Sequence, residues 1–144
     1  MRARFALSKY LPWIVFVTIV VDSEFSNANQ IAQGFVQVKI TASSSPQNIT
    51  SANCGISLSA LDSKTLISFT EDVSKEVTPV NNVVTCTVTA PYDWSLTDLT
   101  GNINVSYSVS GQNGSHIVKS TSGGFAPIPL TTTGTTVLTV STVF

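Results

Sequence analysis

Residues 84–90 read Val84-Thr85-Cys86-Thr87-Val88-Thr89-Ala90, and residues 54–60 read Cys54-Gly55-Ile56-Ser57-Leu58-Ser59-Ala60. In both stretches apolar and small polar side chains alternate with period two. Successive side chains of an extended chain point to opposite faces, so each stretch is a strand with one apolar and one wet face. Cys86 belongs to the apolar set of one strand and Cys54 to that of the other. They are the only cysteines of the chain, and their count alone does not require them to share the inward phase. The two strands are therefore expected to meet at one core and to be joined there by a disulfide. A metal or redox use of the pair fits less well. The one histidine, His116, lies far beyond Cys86, and the spacing is not the C-x-x-C of redox motifs.

The same alternation runs outward from these two strands. Residues 35–41 place Val36, Val38 and Ile40 on one face against Gln37 and Lys39. Residues 103–110 set Ile103, Val105, Tyr107 and Val109 against Asn104, Ser106, Ser108 and Ser110. Weaker strands are expected over 66–70, 116–120 and 136–144. Turn chemistry separates the runs. It lies in 43–48 with Pro46, in Asn81-Asn82, in Ala90-Pro91-Tyr92-Asp93, in Thr100-Gly101-Asn102, and in Gly123-Gly124 before Pro127 and Pro129. Gly111-Gln112-Asn113-Gly114 reads as a hairpin turn. No segment has a convincing helical period; residues 96–99 could form at most one short turn. About seven short strands with one apolar face each predict an all-β fold, a single small two-sheet sandwich of immunoglobulin-like architecture. A true immunoglobulin domain carries its core tryptophan between the two cysteines, whereas Trp94 follows Cys86.

The first 28 residues have a different character. Arg2, Arg4 and Lys9 precede an uncharged apolar run over 11–21, which Asp22 ends. That run is shorter than the roughly 20 apolar residues needed to cross a bilayer, and a basic start before a short apolar core is the pattern of a secretory signal peptide. Ser26-Asn27-Ala28 offers small residues for cleavage after Ala28. The expected division is a signal peptide over 1–28 and a β-sandwich domain over 29–144, in a secreted or periplasmic protein. The alternative is an uncleaved anchor, which mass spectrometry of the N-terminus separates from cleavage. Export to an oxidising compartment also suits the cysteine pairing.

Beyond residue 28 the charges are Lys39, Lys64, Lys75 and Lys119 against Asp62, Glu71, Asp72, Glu76, Asp93 and Asp98, with no arginine. Nucleic-acid binding rests on clustered cations that neutralise phosphates, so that partner class is excluded, as is a basic patch for anionic membranes.

The residues that could carry chemistry have plainer readings. His116 could serve a small secreted hydrolase, but no G-x-S-x-G elbow accompanies it, and a solvent-exposed strand residue is the expected role. Glu71-Asp72 and Glu76 could pair for glycoside hydrolysis, yet neighbours on an extended chain point apart, and a solvated loop is expected. Asp93 and Asp98 lack the further oxygen ligands that calcium needs. The row Thr85, Thr87, Thr89 reads as the wet side of a strand. The sequons at Asn48, Asn104 and Asn113 are as many as chance supplies. Phe144, a terminal aromatic, echoes outer-membrane barrels, which need more and longer strands. No catalytic residue, metal, cofactor or specific ligand site is assigned.

Gly34-Phe35-Val36-Gln37-Val38, the cysteine strands Cys54-Gly55-Ile56-Ser57 and Val84-Thr85-Cys86-Thr87-Val88, and the alternating terminal segment 134–144 together resemble the secreted pilin-like subunits of the spore coat protein U group. Thr135-Thr136 stand where that group has an aromatic and an acid after the glycine. The resemblance implies a non-enzymatic surface or pilus-type subunit that self-assembles by strand addition, taking an extra strand from a neighbour. The residues themselves lead to an exported binding or structural module without enzymatic activity; a pilus-type assembly subunit and a hydrolase using His116 are the alternatives.

Overall fold

A computed structural model describes residues 29–43 and 49–143. The expected signal peptide, the turn at Pro46 and the terminal Phe144 lie outside the described residues. The chain forms eight strands and no helix among those residues: β1 (Gln30–Ser43), β2 (Ser51–Leu61), β3 (Ser68–Val77), β4 (Val83–Leu96), β5 (Asn102–Asn113), β6 (His116–Gly124), β7 (Ile128–Pro129) and β8 (Thr135–Val143). They build two sheets. One has the order β4-β1-β8; the other has β3-β2-β5-β6, with the two-residue β7 pairing the start of β5. All pairs are antiparallel except β1 with β8, which is parallel from Phe35↔Thr135 to Ser43↔Val143. The expected two-sheet sandwich is formed, with the short β7 making eight strands where about seven were expected.

The alternation read from the sequence sets the core. Val36, Val38 and Ile40 of β1, Cys54, Ile56, Leu58 and Ala60 of β2, Val84, Cys86, Val88 and Ala90 of β4, and Ile103, Val105 and Val109 of β5 are all buried in one cluster. Each buried Val, Leu or Ile side chain among them contributes about 1.5–3 kcal/mol relative to exposure. The Cys54–Cys86 disulfide joins β2 to β4, and so joins the two sheets, with a Cα–Cα distance of 6.6 Å.

The turn at Asn81-Asn82 falls where the residues place it. Asn81 and Asn82 both have positive φ, 52° and 61°, between the reciprocal backbone bonds of Val80 and Val83; asparagine tolerates that conformation better than most residues. The β5–β6 turn is displaced from the one expected over 111–114: Gly111, Gln112 and Asn113 belong to β5, with a shift of register at Gly111/Gln112, and the chain turns at Gly114, at φ 59°, and Ser115.

Four expectations fail for tertiary reasons. Residues 90–93 are strand rather than turn, because β4 continues through Pro91 to Leu96 and buries Tyr92, Trp94 and Leu96. Pro91 sits opposite Phe35, whose N–H is directed to Gly134 of β8. The missing N–H of Pro91 therefore faces the free edge of the sheet, where proline is tolerated. Gly123-Gly124 ends β6 instead of breaking it; a Cβ on Gly123 would lie 2.8 Å from the ring of Tyr107, so the glycine makes room for that ring. The strand expected at 66–70 begins at Ser68 and runs to Val77, because Leu66 takes φ 57° and closes the β2–β3 turn. Residues 96–99 form no helical turn; Leu96 ends β4, fully buried.

Candidate functional site

His116 opens β6 opposite Asn113, exposed at the tip of the β5–β6 hairpin. No serine hydroxyl or carboxylate is hydrogen-bonded to it among the described residues. Glu71, Asp72 and Glu76 lie on β3, so the solvated loop expected for them is a strand at the edge of its sheet. The period-two geometry turns Glu71 half inward and leaves Asp72 and Glu76 exposed. Asp93 is exposed on β4, and Asp98 lies in the β4–β5 loop, where it accepts hydrogen bonds from Thr100 N (3.1 Å), Thr100 Oγ1 (2.7 Å) and Ser63 Oγ (3.0 Å). These bonds hold the Asp98 carboxyl below its usual range. No group of three or more His, Cys, Asp or Glu side chains converges among the described residues. Thr85, Thr87 and Thr89 form the wet face of β4, where Thr89 accepts a bond from the Gln37 amide at 3.3 Å.

The residue the sequence reading missed is Asp62, the one buried charged or polar side chain among the described residues. It follows β2 directly. Its Oδ1 accepts Lys64 N at 3.0 Å, Thr65 N at 3.2 Å and Thr97 Oγ1 at 2.6 Å, and its Oδ2 accepts Thr97 N at 2.7 Å. One carboxylate thus closes the β2–β3 turn and ties it to the end of β4. The hydroxyl and N–H of Thr97, reinforced by the two turn amides, outweigh burial and hold the Asp62 carboxyl well below the usual carboxylate range. The signal available in sequence was an aspartate at a strand end followed by Ser-Lys-Thr, an Asx-turn pattern. A depressed folded-state pKa gives stability that is present above the unfolded value and lost as pH falls through the folded one. The urea midpoint of the wild-type protein is therefore expected to fall progressively as the pH drops below about 4. Asp62→Asn should be less stable at neutral pH and show a shallower acid slope, because an amide NH₂ would face either Thr97 N–H or the turn amides.

Two concavities mark the surface. The larger, about 470 Å³, lies on the outer face of the β3-β2-β5-β6 sheet and is lined by Gly55, Ser57, Asp72, Ser74, Ser108 and Ser122 among others. Short side chains create it: the missing Cβ of Gly55 would stand 2.9 Å from Ser108 Oγ. Hydroxyls that both donate and accept suit a polar contact surface, and no base stands beside them to activate one as a nucleophile. The smaller, about 350 Å³, lies where Gly34, Phe35, Pro91, Tyr92, Asp93 and Gly134 meet. There Tyr92 donates its hydroxyl to Thr132 O at 2.8 Å, passing over Gly34, where an added Cβ would lie 2.6 Å from the Tyr92 hydroxyl oxygen.

The four sheet edges differ in chemistry. β3 carries Glu71, Asp72, Lys75 and Glu76; β6 carries His116 and Lys119; β4 carries Pro91 and Asp93. β8 reads Thr-Thr-Val-Leu-Thr-Val-Ser-Thr-Val and carries no charge, proline or glycine. Among the described residues no helix is long and apolar enough to cross a membrane, and the inter-sheet disulfide suits an oxidising, extracytoplasmic environment. No family model, curated protein or solved structure matches this chain.

Proposed function

We propose that this chain is an exported, non-enzymatic binding or assembly module, secreted or periplasmic, that acts through the outer faces and free edges of its sandwich. The observation that carries the reading is the β8 edge. Charges, prolines and bulges keep exposed strands from pairing with other chains, and β8 has none of these devices while every other main edge has at least one. The basic and then apolar start over residues 1–28 and the oxidised Cys54–Cys86 pair support export. The partner is a protein or surface that accepts main-chain hydrogen bonds, without nucleic acid and without a cofactor.

The same edge favours a second reading, a pilus-type subunit. The chain's own β8 already occupies the place beside β1, so a neighbour's strand would add on the outer side of β8. The hydrolase reading rests on His116 alone, which is exposed and without a hydrogen-bonded hydroxyl or carboxylate among the described residues.

Fractionating a host that makes the full chain tests export. The protein should be recovered outside the cytoplasm with both cysteines blocked to alkylation until reduced; a cytoplasmic product with two free thiols would contradict it. His116→Ala should leave binding unchanged and stability within about 0.5 kcal/mol of wild type. Loss of a hydrolytic activity in that variant would support the enzyme instead.

A further inference from the structure

β8 is the outermost strand of its sheet. Phe35 donates its N–H to the carbonyl of Gly134 at 2.8 Å. In an evenly spaced parallel ladder every second residue of one strand bonds its neighbour. Thr136, Leu138, Val140 and Thr142 therefore direct their backbone groups to β1. Thr135, Val137, Thr139, Ser141 and Val143 direct theirs to the open side, where no N–H or C=O of theirs has a partner among the described residues.

The open side is apolar as well as unpaired. Leu138 and Val140 pack against the core yet stay only partly buried. Across the sandwich β6 meets β8 at Thr121 and Thr142, whose hydroxyl oxygens are 3.5 Å apart. On this flank the core is left partly uncovered.

One occupant satisfies all of these groups. A second β8 run antiparallel, with a two-fold axis at Thr139, places Thr139 opposite itself, Val137 opposite the copy's Ser141, and Thr135 opposite the copy's Val143. Each of the five outward residues then donates one N–H and accepts another, in the hydrogen-bonded positions of an antiparallel ladder. The intervening positions bring Leu138 beside the copy's Val140, at the closer spacing of a non-hydrogen-bonded pair, and so cover the partly exposed core residues. No like charges meet across the axis, because β8 carries none. An isologous contact of this kind closes on itself rather than growing without limit.

We propose that two copies of this chain join by antiparallel pairing of their β8 strands about a two-fold axis at Thr139, making one six-stranded sheet from two three-stranded ones. The proposal rests on the module reading and names its partner as a second copy. The test is sedimentation equilibrium of the oxidised full-chain product recovered from the exported fraction, over a range of concentrations. The wild-type protein should pass from monomer to dimer and stop there. Thr139 is exposed on the outer face, so Thr139→Lys and Thr139→Glu should fold, with unchanged circular dichroism. Each should weaken dimerisation about fivefold or more, since like charges are then directly opposed. An equimolar mixture of the two variants should regain at least wild-type affinity, whereas Thr85→Lys, on the wet face of β4, should change nothing.

A monomer at every concentration would overturn the pairing, as would a dimer indifferent to both charges or a mixture no tighter than either variant alone. An exported, oxidised monomer that binds a different partner overturns the self-pairing and leaves the module reading standing. A reduced cytoplasmic product overturns the module reading.

Discussion

Replacing both Cys54 and Cys86 with alanine is expected to lower the free energy of unfolding by about 3–4 kcal/mol. The bridge spans 32 positions of sequence, and closing a loop of that size restricts the unfolded chain more than the folded one. Domains of this size are stable by about 5–15 kcal/mol in total, so the loss is a large share of the whole. The native cost is small by comparison, because both positions are buried in the apolar cluster and alanine is accepted there. Equilibrium unfolding in urea, with and without a reducing agent, measures the effect. Reduced wild type and the double variant should coincide. Both should show a steeper dependence on urea than the oxidised protein, since an uncrosslinked chain exposes more surface when it unfolds. A double variant as stable as the oxidised protein would mean that the link between the sheets adds nothing to stability.

Leu58→Ala is expected to cost about 2–5 kcal/mol. Leu58 is fully buried on β2, between Glu71 of β3 and Val105 of β5. Truncation leaves a cavity that flanking strands in register cannot close without breaking ladder hydrogen bonds. Its neighbour Ser57 points the other way, to the outer face, and Ser57→Ala should stay within about 0.5 kcal/mol of wild type. The contrast tests more than one contact. A strand that slipped by one residue would exchange its two faces, and the two substitutions would then exchange their effects. Chemical denaturation of both variants decides the phase of β2 directly.

That phase was legible in the sequence because it is local: an apolar residue at every second position needs no knowledge of its neighbours. The inward sets of β1, β2, β4 and β5, and with them the disulfide, were readable in this way. What was misread depended on distant residues. Pro91 breaks a central strand but not an edge strand, and whether β4 is an edge depends on what pairs with its other side. Gly123 looks like a turn residue until Tyr107 is known to lie over it. The parallel pairing of β8 with β1 joins the two ends of the domain, and no local pattern announces it. Asp62 shows the same limit at the level of one side chain. Its turn amides are two and three residues away, but Thr97, its strongest partner, is 35 residues on. The candidate site was the least legible part. Residues chosen for reactivity, His116 and the β3 acids, stand apart from one another on exposed strands, whereas the β8 edge matters for the charges it lacks.

The β8 edge is also where the account is tested most directly, by amide exchange measured residue by residue across β8. In dilute solution the amides of Thr136, Leu138, Val140 and Thr142 should be protected by β1, while those of Val137, Thr139 and Ser141 exchange at nearly the rate of an unfolded chain. On concentration the second set should become protected and the first should hardly change. Uniform protection along β8 in the dilute monomer, or exchange of the outward amides that ignores concentration, would contradict a free edge that pairs with a second copy.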